Sequence, residues 1–165
     1  MKRAKVKIIN LYIFCALLIT GFLAGCATPF GTGLTPEGQK VYLGRVPIEN
    51  TPEYEEYLAS KGTEVAKQTY IFQRLKSAKH LEFGYDGSWY NYLEAYRGGM
   101  WLIRNRYQKG QDAREFIYKN VECEKGSSTG KPPLVKYPDG SIHIGAYVLY
   151  NELDLLEETV SRGAG

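Results

Sequence analysis

Cysteine and histidine, the residue types that most often carry reactions in proteins, are few in this 165-residue chain. They are Cys15, Cys26, Cys123, His80 and His143. A metal site needs several such ligands at short spacing, and a nucleophilic cysteine needs a neighbouring base. Neither histidine has a second ligand at helical or Cys-x-x-Cys spacing, and no signature of a serine hydrolase, a zinc peptidase or a nucleotide-binding loop occurs. We therefore predict no catalytic residue, no metal site and no cofactor.

Cys26 lies in a context that indicates a different chemistry, the attachment of lipid. It follows a basic start, with four lysine or arginine residues in the first seven positions, and then an apolar run from Ile8 to Ala24. This run is short for a membrane span, which needs about 20 apolar residues, and is typical of a secretory signal peptide. The tetrapeptide Leu23-Ala24-Gly25-Cys26 resembles the lipobox of bacterial lipoproteins, which implies cleavage before Cys26 and acylation of its thiol. An uncleaved signal anchor and an ordinary signal peptide are the alternatives.

The lipobox resemblance implies a protein that is anchored to a membrane without spanning it. Ala27 stands where aspartate would retain a lipoprotein at the inner membrane, so we expect the outer membrane, facing the periplasm, if the cell is Gram-negative. Because Cys15 leaves with the signal peptide, Cys123 is then the only free thiol. We expect it to be buried and inert, although pairing with another chain or a reactive role is also open.

Charge argues against a nucleic-acid partner once the signal peptide is removed. Residues 1–25 carry four of the 21 basic residues and none of the 18 acidic ones, which leaves 17 basic and 18 acidic residues, or a net charge of about −1. Without a basic excess, nothing attracts a phosphate backbone. The mature chain is long enough for one domain with its own core.

Composition divides the chain into a signal peptide over 1–25, a lipidated N-terminus and tether over 26–50, and one domain over 51–165. The tether is predicted from its proline and glycine content and its lack of a helical period, although a strand over 40–46 is possible. Thr51-Pro52-Glu53 is typical of a helix start. A second helix is predicted from about Thr63 to Lys79, and a loop covers 84–88.

The next segment predicts a long helix with an unusual glycine pair. Apolar residues from Trp89 to Tyr107 recur at alternating steps of four and three, and Gly98-Gly99 lies in the middle. Each glycine costs about 1 kcal/mol relative to alanine in a helix. We therefore expect either the close approach of another element or a kink at Gly98-Gly99.

The remaining chain predicts one short helix, one hairpin and one final helix. Asp112 and Glu115 resemble a capping box, and Asp139-Gly140 between two β-prone runs is a strong hairpin signal. His143 alternates with Ile142 and Ile144, so we expect it to point outward. The predicted fold is α+β and mostly helical, with four or five helices and one β-hairpin between the last two.

Three segments together are similar to the small, exported YfeK-like proteins, a family without an assigned activity. The segments are 83–95, with Phe83, Asp86-Gly87, Trp89-Tyr90 and Glu94-Ala95, then 112–117, and Ser128-Thr129-Gly130-Lys131-Pro132. The family pattern has a cysteine and a histidine where this chain has Leu81 and Gly98. The resemblance therefore implies that any metal or redox chemistry in the family is not shared here.

We predict a binding or structural module of the cell envelope rather than an enzyme, with an envelope protein or a glycan as its partner. The candidate binding surface combines two loops, because loops carry function and exposed aromatic residues favour recognition. Its residues are Asp86, Trp89, Tyr90, Ser128, Gly130 and Lys131. The alternative is a hydrolytic or glycan-acting envelope enzyme that uses the carboxylates of Asp86 and Glu94.

Overall fold

The computed structural model describes residues 30–122 and 130–163, which form five helices and one antiparallel sheet. The predicted α+β, mostly helical fold is confirmed, including a hairpin between the last two helices. The helices are α1 (Pro52–Ala59), α2 (Glu64–Gln73), α3 (Tyr92–Arg106), α4 (Ala113–Ile117) and α5 (Gly145–Gly163). The strands are β1 (Glu82–Tyr85), β2 (Ser88–Tyr90), β3 (Leu134–Lys136) and β4 (Ile142–Ile144). The predicted signal peptide and lipobox, Leu23 to Cys26, lie outside the described residues, as do Cys123 and Ser128.

Side-chain caps begin three of these helices where the sequence predicts a start. The hydroxyl of Thr51 accepts a hydrogen bond from the N–H of Tyr54, and Pro52 follows in the first turn of α1. Asp112 accepts from the N–H of Glu115 at 2.8 Å and begins α4. Thr63 caps α2, but that helix ends at Gln73 rather than at Lys79 and continues only as a 3₁₀ turn, Arg74–Ser77.

The predicted start of the long helix at Trp89 is wrong, because residues 82–90 form a hairpin. Asp86 and Gly87 have positive φ angles of 51° and 81°, which are the backbone values of a two-residue hairpin turn. Helix α3 begins three residues after Trp89 and is capped by Asn91, whose side chain accepts from the N–H groups of Leu93 and Glu94. A complete capping box therefore separates strand β2 from helix α3.

The sheet has the strand order β2-β1-β3-β4, and all neighbouring strands are antiparallel. Phe83, Val135 and His143 are directly opposite one another on the face that packs against the helices, and all three are buried. The prediction that His143 points outward is therefore wrong. Its ring packs edge-to-face on Tyr137 with centroids 5.3 Å apart, and Gly31, which lacks a Cβ, leaves room for it.

Residues 31–48 pack against the body, so the predicted tether over 26–50 and the domain start at 51 are wrong for this segment. Leu43 and Ile48 are fully buried in the core. The amide of Asn151 on α5 donates hydrogen bonds to the carbonyl oxygens of Gly33 at 2.7 Å and Val41 at 3.0 Å. The segment is held because side chains of α5 satisfy its backbone groups, which composition does not reveal.

A fully buried ion pair fastens this segment to the helices. Arg74 Nε lies 2.9 Å from Glu152 Oε2, and both side chains are inaccessible to solvent. The other carboxylate oxygen of Glu152 accepts from the N–H of Leu43, and Arg74 donates to the carbonyl of Arg45. Burial raises the pKa of the Glu152 carboxyl, while the Arg74 guanidinium and the Leu43 N–H oppose that rise.

Helix α5 is the centre of the core, because it contacts α2, α4, β3 and β4. Its buried residues Leu149, Leu153 and Leu156 recur at steps of four and three, as an amphipathic helix requires. Across residues 30–122 and 130–163, no helix is both long enough and apolar enough to cross a bilayer.

Candidate binding site

A cavity of about 480 Å³ lies between the inner face of the sheet and helix α3. This volume falls in the usual range of small-molecule sites, about 300–1,000 Å³. Its apolar lining includes Phe72, Leu75, Phe83, Val121, Val135 and Leu149. These side chains come from α2 and the 3₁₀ turn after it, from the sheet, from the segment that follows α4, and from α5, so the cavity is a product of the whole fold.

Helix α3 forms one long wall of the cavity. Glu94, Gly98, Leu102 and Arg106 line it at a spacing of four residues, so they form one row along the helix. At a rise of 1.5 Å per residue, the twelve steps from Glu94 to Arg106 span about 18 Å. The cavity wall therefore follows almost the full length of the helix, with an acid at one end and a base at the other.

The two glycines of α3 have different roles. A Cβ at Gly99 would stand 2.1 Å from Cδ1 of Phe72, so the absence of a side chain lets α3 approach α2 closely. Of the two alternatives that the sequence leaves open for the glycine pair, close approach or a kink, this is the close approach. A Cβ at Gly98 would meet nothing within 4 Å, because this position faces the cavity. Gly99 thus serves packing, and Gly98 keeps the cavity wall open.

Aromatic residues surround the solvent opening of the cavity. Tyr85, Tyr90 and Trp101 all line it and are 39%, 38% and 52% exposed. Such residues have an apolar ring and a polar tip, which suits the boundary between an apolar interior and water. The opening can therefore accept a ligand that is apolar inside and polar outside.

The structure divides the predicted pair Trp89 and Tyr90 between the two faces of the sheet. Tyr90 lines the cavity, whereas Trp89 lies against Gly84 on the opposite face, with Nζ of Lys136 5.6 Å from its ring centroid. Among the described residues of the predicted surface, only Tyr90 lines the cavity.

The two predicted loops do share one end of the sheet. Gly84 pairs with Leu134, so the turn at Asp86 and the segment that leads into β3 from Gly130 are at the same end. Gly130 and Lys131 are exposed there. Pro133 from this segment lines the cavity, which connects the predicted loop to the site.

The ionisable side chains of Glu94 and His143 take part in the capping and packing of the fold. Glu94 accepts a hydrogen bond from the N–H of Asn91 at 2.9 Å and so completes the cap of α3. His143 is buried with no hydrogen-bond partner for its Nδ1 among the described residues, and burial lowers its pKa. Over the same residues, no group of three or more His, Cys, Asp or Glu side chains could hold a metal ion. The alternative of an enzyme that uses Asp86 and Glu94 stays a prediction.

Sequence reasoning missed Trp101, Leu102 and Arg106. The signal available in the sequence was the glycine pair. Two adjacent glycines inside a helix indicate either close contact with another element or an open space beside the helix. Leu102 and Arg106 follow Gly98 at the four-residue spacing of one helix face. Leu102 and Arg106 could therefore be inferred from the sequence, whereas Trp101 does not belong to this row.

Comparison with protein-family models, with curated proteins and with solved structures finds no match for this chain. The resemblance to YfeK-like proteins therefore stays a prediction. At the two positions where the chain departs from that pattern, Leu81 is buried in the core and Gly98 lies on the cavity wall.

Proposed function

We propose that this chain is a lipid-anchored cell-envelope protein whose body binds an apolar ligand in the cavity beneath α3. The observation that carries the proposal is the open cavity with its apolar lining and its aromatic rim. Sites of this size and polarity are the usual binding sites of small apolar molecules. A glycan, by contrast, needs many hydrogen-bonding groups in the wall of its site, and this lining offers few.

The lipobox pattern supports the lipid anchor. The packing of residues 31–48 against the body limits how far the body can lie from that anchor. If Cys26 carries acyl chains, only residues 27–29 separate it from Phe30, where the described body begins. The four steps from residue 26 to residue 30 span at most about 14 Å, so the body lies close to the membrane surface. A cavity for apolar molecules is then within reach of the bilayer that holds them.

Photolabelling tests the cavity. Membranes that contain the mature protein would be exposed to a long-chain alcohol that carries a photoreactive diazirine, and the labelled peptides would be identified by mass spectrometry. We expect labels on α3 and β1 in the unaltered protein. The substitution Gly98→Phe fills the cavity wall, so we expect labelling to fall by about tenfold or more.

Leu93→Phe is the matched control, because Leu93 is an exposed residue of α3 that does not line the cavity. Circular dichroism would confirm that both variants are folded. Equal labelling of the two variants would exclude the cavity as the binding site.

The anchor is tested separately. We expect radiolabelled palmitate to be incorporated into the unaltered protein, the mature N-terminus to be Cys26, and the Cys26→Ala variant to carry no label. An unmodified N-terminus would remove the anchor from the proposal and leave the cavity to be judged on its own labelling.

A further inference from the structure

From the shape and charge of the cavity, we infer that its ligand is an anionic amphiphile, with an acyl chain lying along α3 and its head group at Arg106. This inference rests on the proposed function of the cavity and names the ligand class. Three observations carry it: the length of the wall, the guanidinium at one end, and the aromatic opening.

The length of the wall matches one acyl chain. The row from Glu94 to Arg106 is about 18 Å long. The hydrocarbon core of a bilayer is about 30 Å thick and contains two chains end to end, so one chain extends about 15 Å. A chain of membrane length therefore fits beside α3, and leaves a few ångströms for a head group.

The charge at the end of the wall selects an anionic head group. Arg106 lines the cavity and has no ion-pair partner among the described residues. By contrast, Arg74 is paired with Glu152, and Arg114 is paired with Asp154. Guanidinium groups bind carboxylate and phosphate oxygens through two parallel hydrogen bonds.

A basic residue in the last turn of a helix also stabilises the helix dipole, and this role must be separated from ligand binding. Arg104 and Arg106 both lie in the last turn of α3 and are both exposed, so they share that structural role. Only Arg106 lines the cavity. The two arginines therefore form a matched pair within one helix.

The aromatic opening places the ligand at a polar boundary. Tyrosine and tryptophan are favoured where hydrocarbon meets head groups and water. Trp101 lies at the opening, five residues before Arg106 on α3, and so matches this preference for a ligand with a buried chain and a wet head near Arg106. A fully apolar ligand would gain nothing from Arg106 at the end of the same wall.

The experiment uses the mature protein in membranes and three diazirine probes of equal chain length: a fatty acid, a fatty alcohol and a phosphatidylglycerol. We expect the fatty acid, the phosphatidylglycerol or both to label the cavity about tenfold more than the alcohol, because charge-assisted hydrogen bonds are stronger than neutral ones. The relative labelling by the two anionic probes identifies the source of the chain.

The arginine variants decide the role of the head group. Arg106→Gln should lower labelling by the anionic probes about tenfold, to the level of the alcohol, and Arg106→Lys should restore part of it. Arg104→Gln should leave labelling within twofold of the unaltered protein. Equal labelling by all three probes, or equal effects of Arg104→Gln and Arg106→Gln, would overturn the inference.

Failure of this inference can be distinguished from failure of the proposed function. If the alcohol labels the cavity and Gly98→Phe abolishes that labelling, the cavity binds apolar ligands whatever the arginine variants show. If Gly98→Phe has no effect on any probe, the cavity is not the site and both proposals fall.

Discussion

Replacing each glycine of the α3 pair by alanine should move the stability of the protein in opposite directions. In the helix interior, alanine is favoured over glycine by about 1 kcal/mol. At Gly98 nothing opposes this gain, because a Cβ there has no atom within 4 Å. We expect Gly98→Ala to raise the free energy of unfolding by about 1 kcal/mol.

At Gly99 the same methyl group collides with the core. Its Cβ would stand 2.1 Å from Cδ1 of Phe72, where ordinary contact begins near 3.4 Å, so ring and helix must separate by more than 1 Å. Phe72 also packs edge-to-face on the buried Phe116, which limits its retreat. Overpacking of this kind costs about 1–3 kcal/mol. After the helix gain is included, we expect Gly99→Ala to be destabilising by up to about 2 kcal/mol.

Urea unfolding of the two variants measures the difference, since the midpoint shifts with stability while the slope stays constant. With a slope of about 1–3 kcal/mol per molar urea, a difference of about 1–3 kcal/mol between the variants should separate the two midpoints by about 0.3–3 M. Midpoints that agree within error, or a Gly99→Ala variant that is the more stable of the two, would refute the assigned contact between α2 and α3.

Three further changes test the interior and the division of the sheet faces. Glu152→Gln leaves the Arg74 guanidinium buried without its counter-charge, so we expect a loss of about 3–5 kcal/mol in urea unfolding, partly recovered when Arg74→Met is added. Burial lowers the pKa of His143 below its ordinary value near 6.5. The unfolded chain then binds the proton more readily, so the contribution of His143 is complete above about pH 6.5 and is lost as the pH falls towards the folded pKa. Comparing unfolding at pH 8 and pH 5 should show a smaller loss for His143→Gln than for the unaltered protein, and equal losses would contradict the assignment. Finally, Tyr90→Ala should lower photolabelling of the cavity while Trp89→Ala leaves it unchanged, and the reverse order would contradict the assigned faces.

Two short segments with the same turn residues show where sequence reasoning succeeds and where it fails. Asp139-Gly140 lies between β-prone runs, and the predicted hairpin is confirmed. Asp86-Gly87 carries the same signal, yet Trp89 continues the helical spacing of the residues after it, which led to a predicted helix. The capping box of Asn91 and Glu94 marks the true boundary and is readable in the sequence.

The candidate site shows a second limit of prediction from sequence, which is that the sequence does not say which side chains face the cavity. The sequence identifies Tyr90 and the glycine pair, but it also groups Trp89 with Tyr90, although neighbouring strand residues point to opposite faces. The register of β1 against β2 then decides which of them meets the cavity. The row that ends at Arg106 becomes a wall only because α3 packs over the inner face of the sheet.

The sequence by itself determined the starts of α1, α2 and α4, the second hairpin and the α+β class, because each depends on a few neighbouring residues and their backbone preferences. Tertiary structure alone decided that residues 31–48 join the core, that His143 is buried, and that a cavity lies beneath α3. These features depend on contacts between residues far apart in the chain, such as Leu43 with Glu152 and Gly99 with Phe72. Such contacts form only when the helices and strands pack together and exclude water. Every buried backbone group then needs a hydrogen-bond partner within the protein.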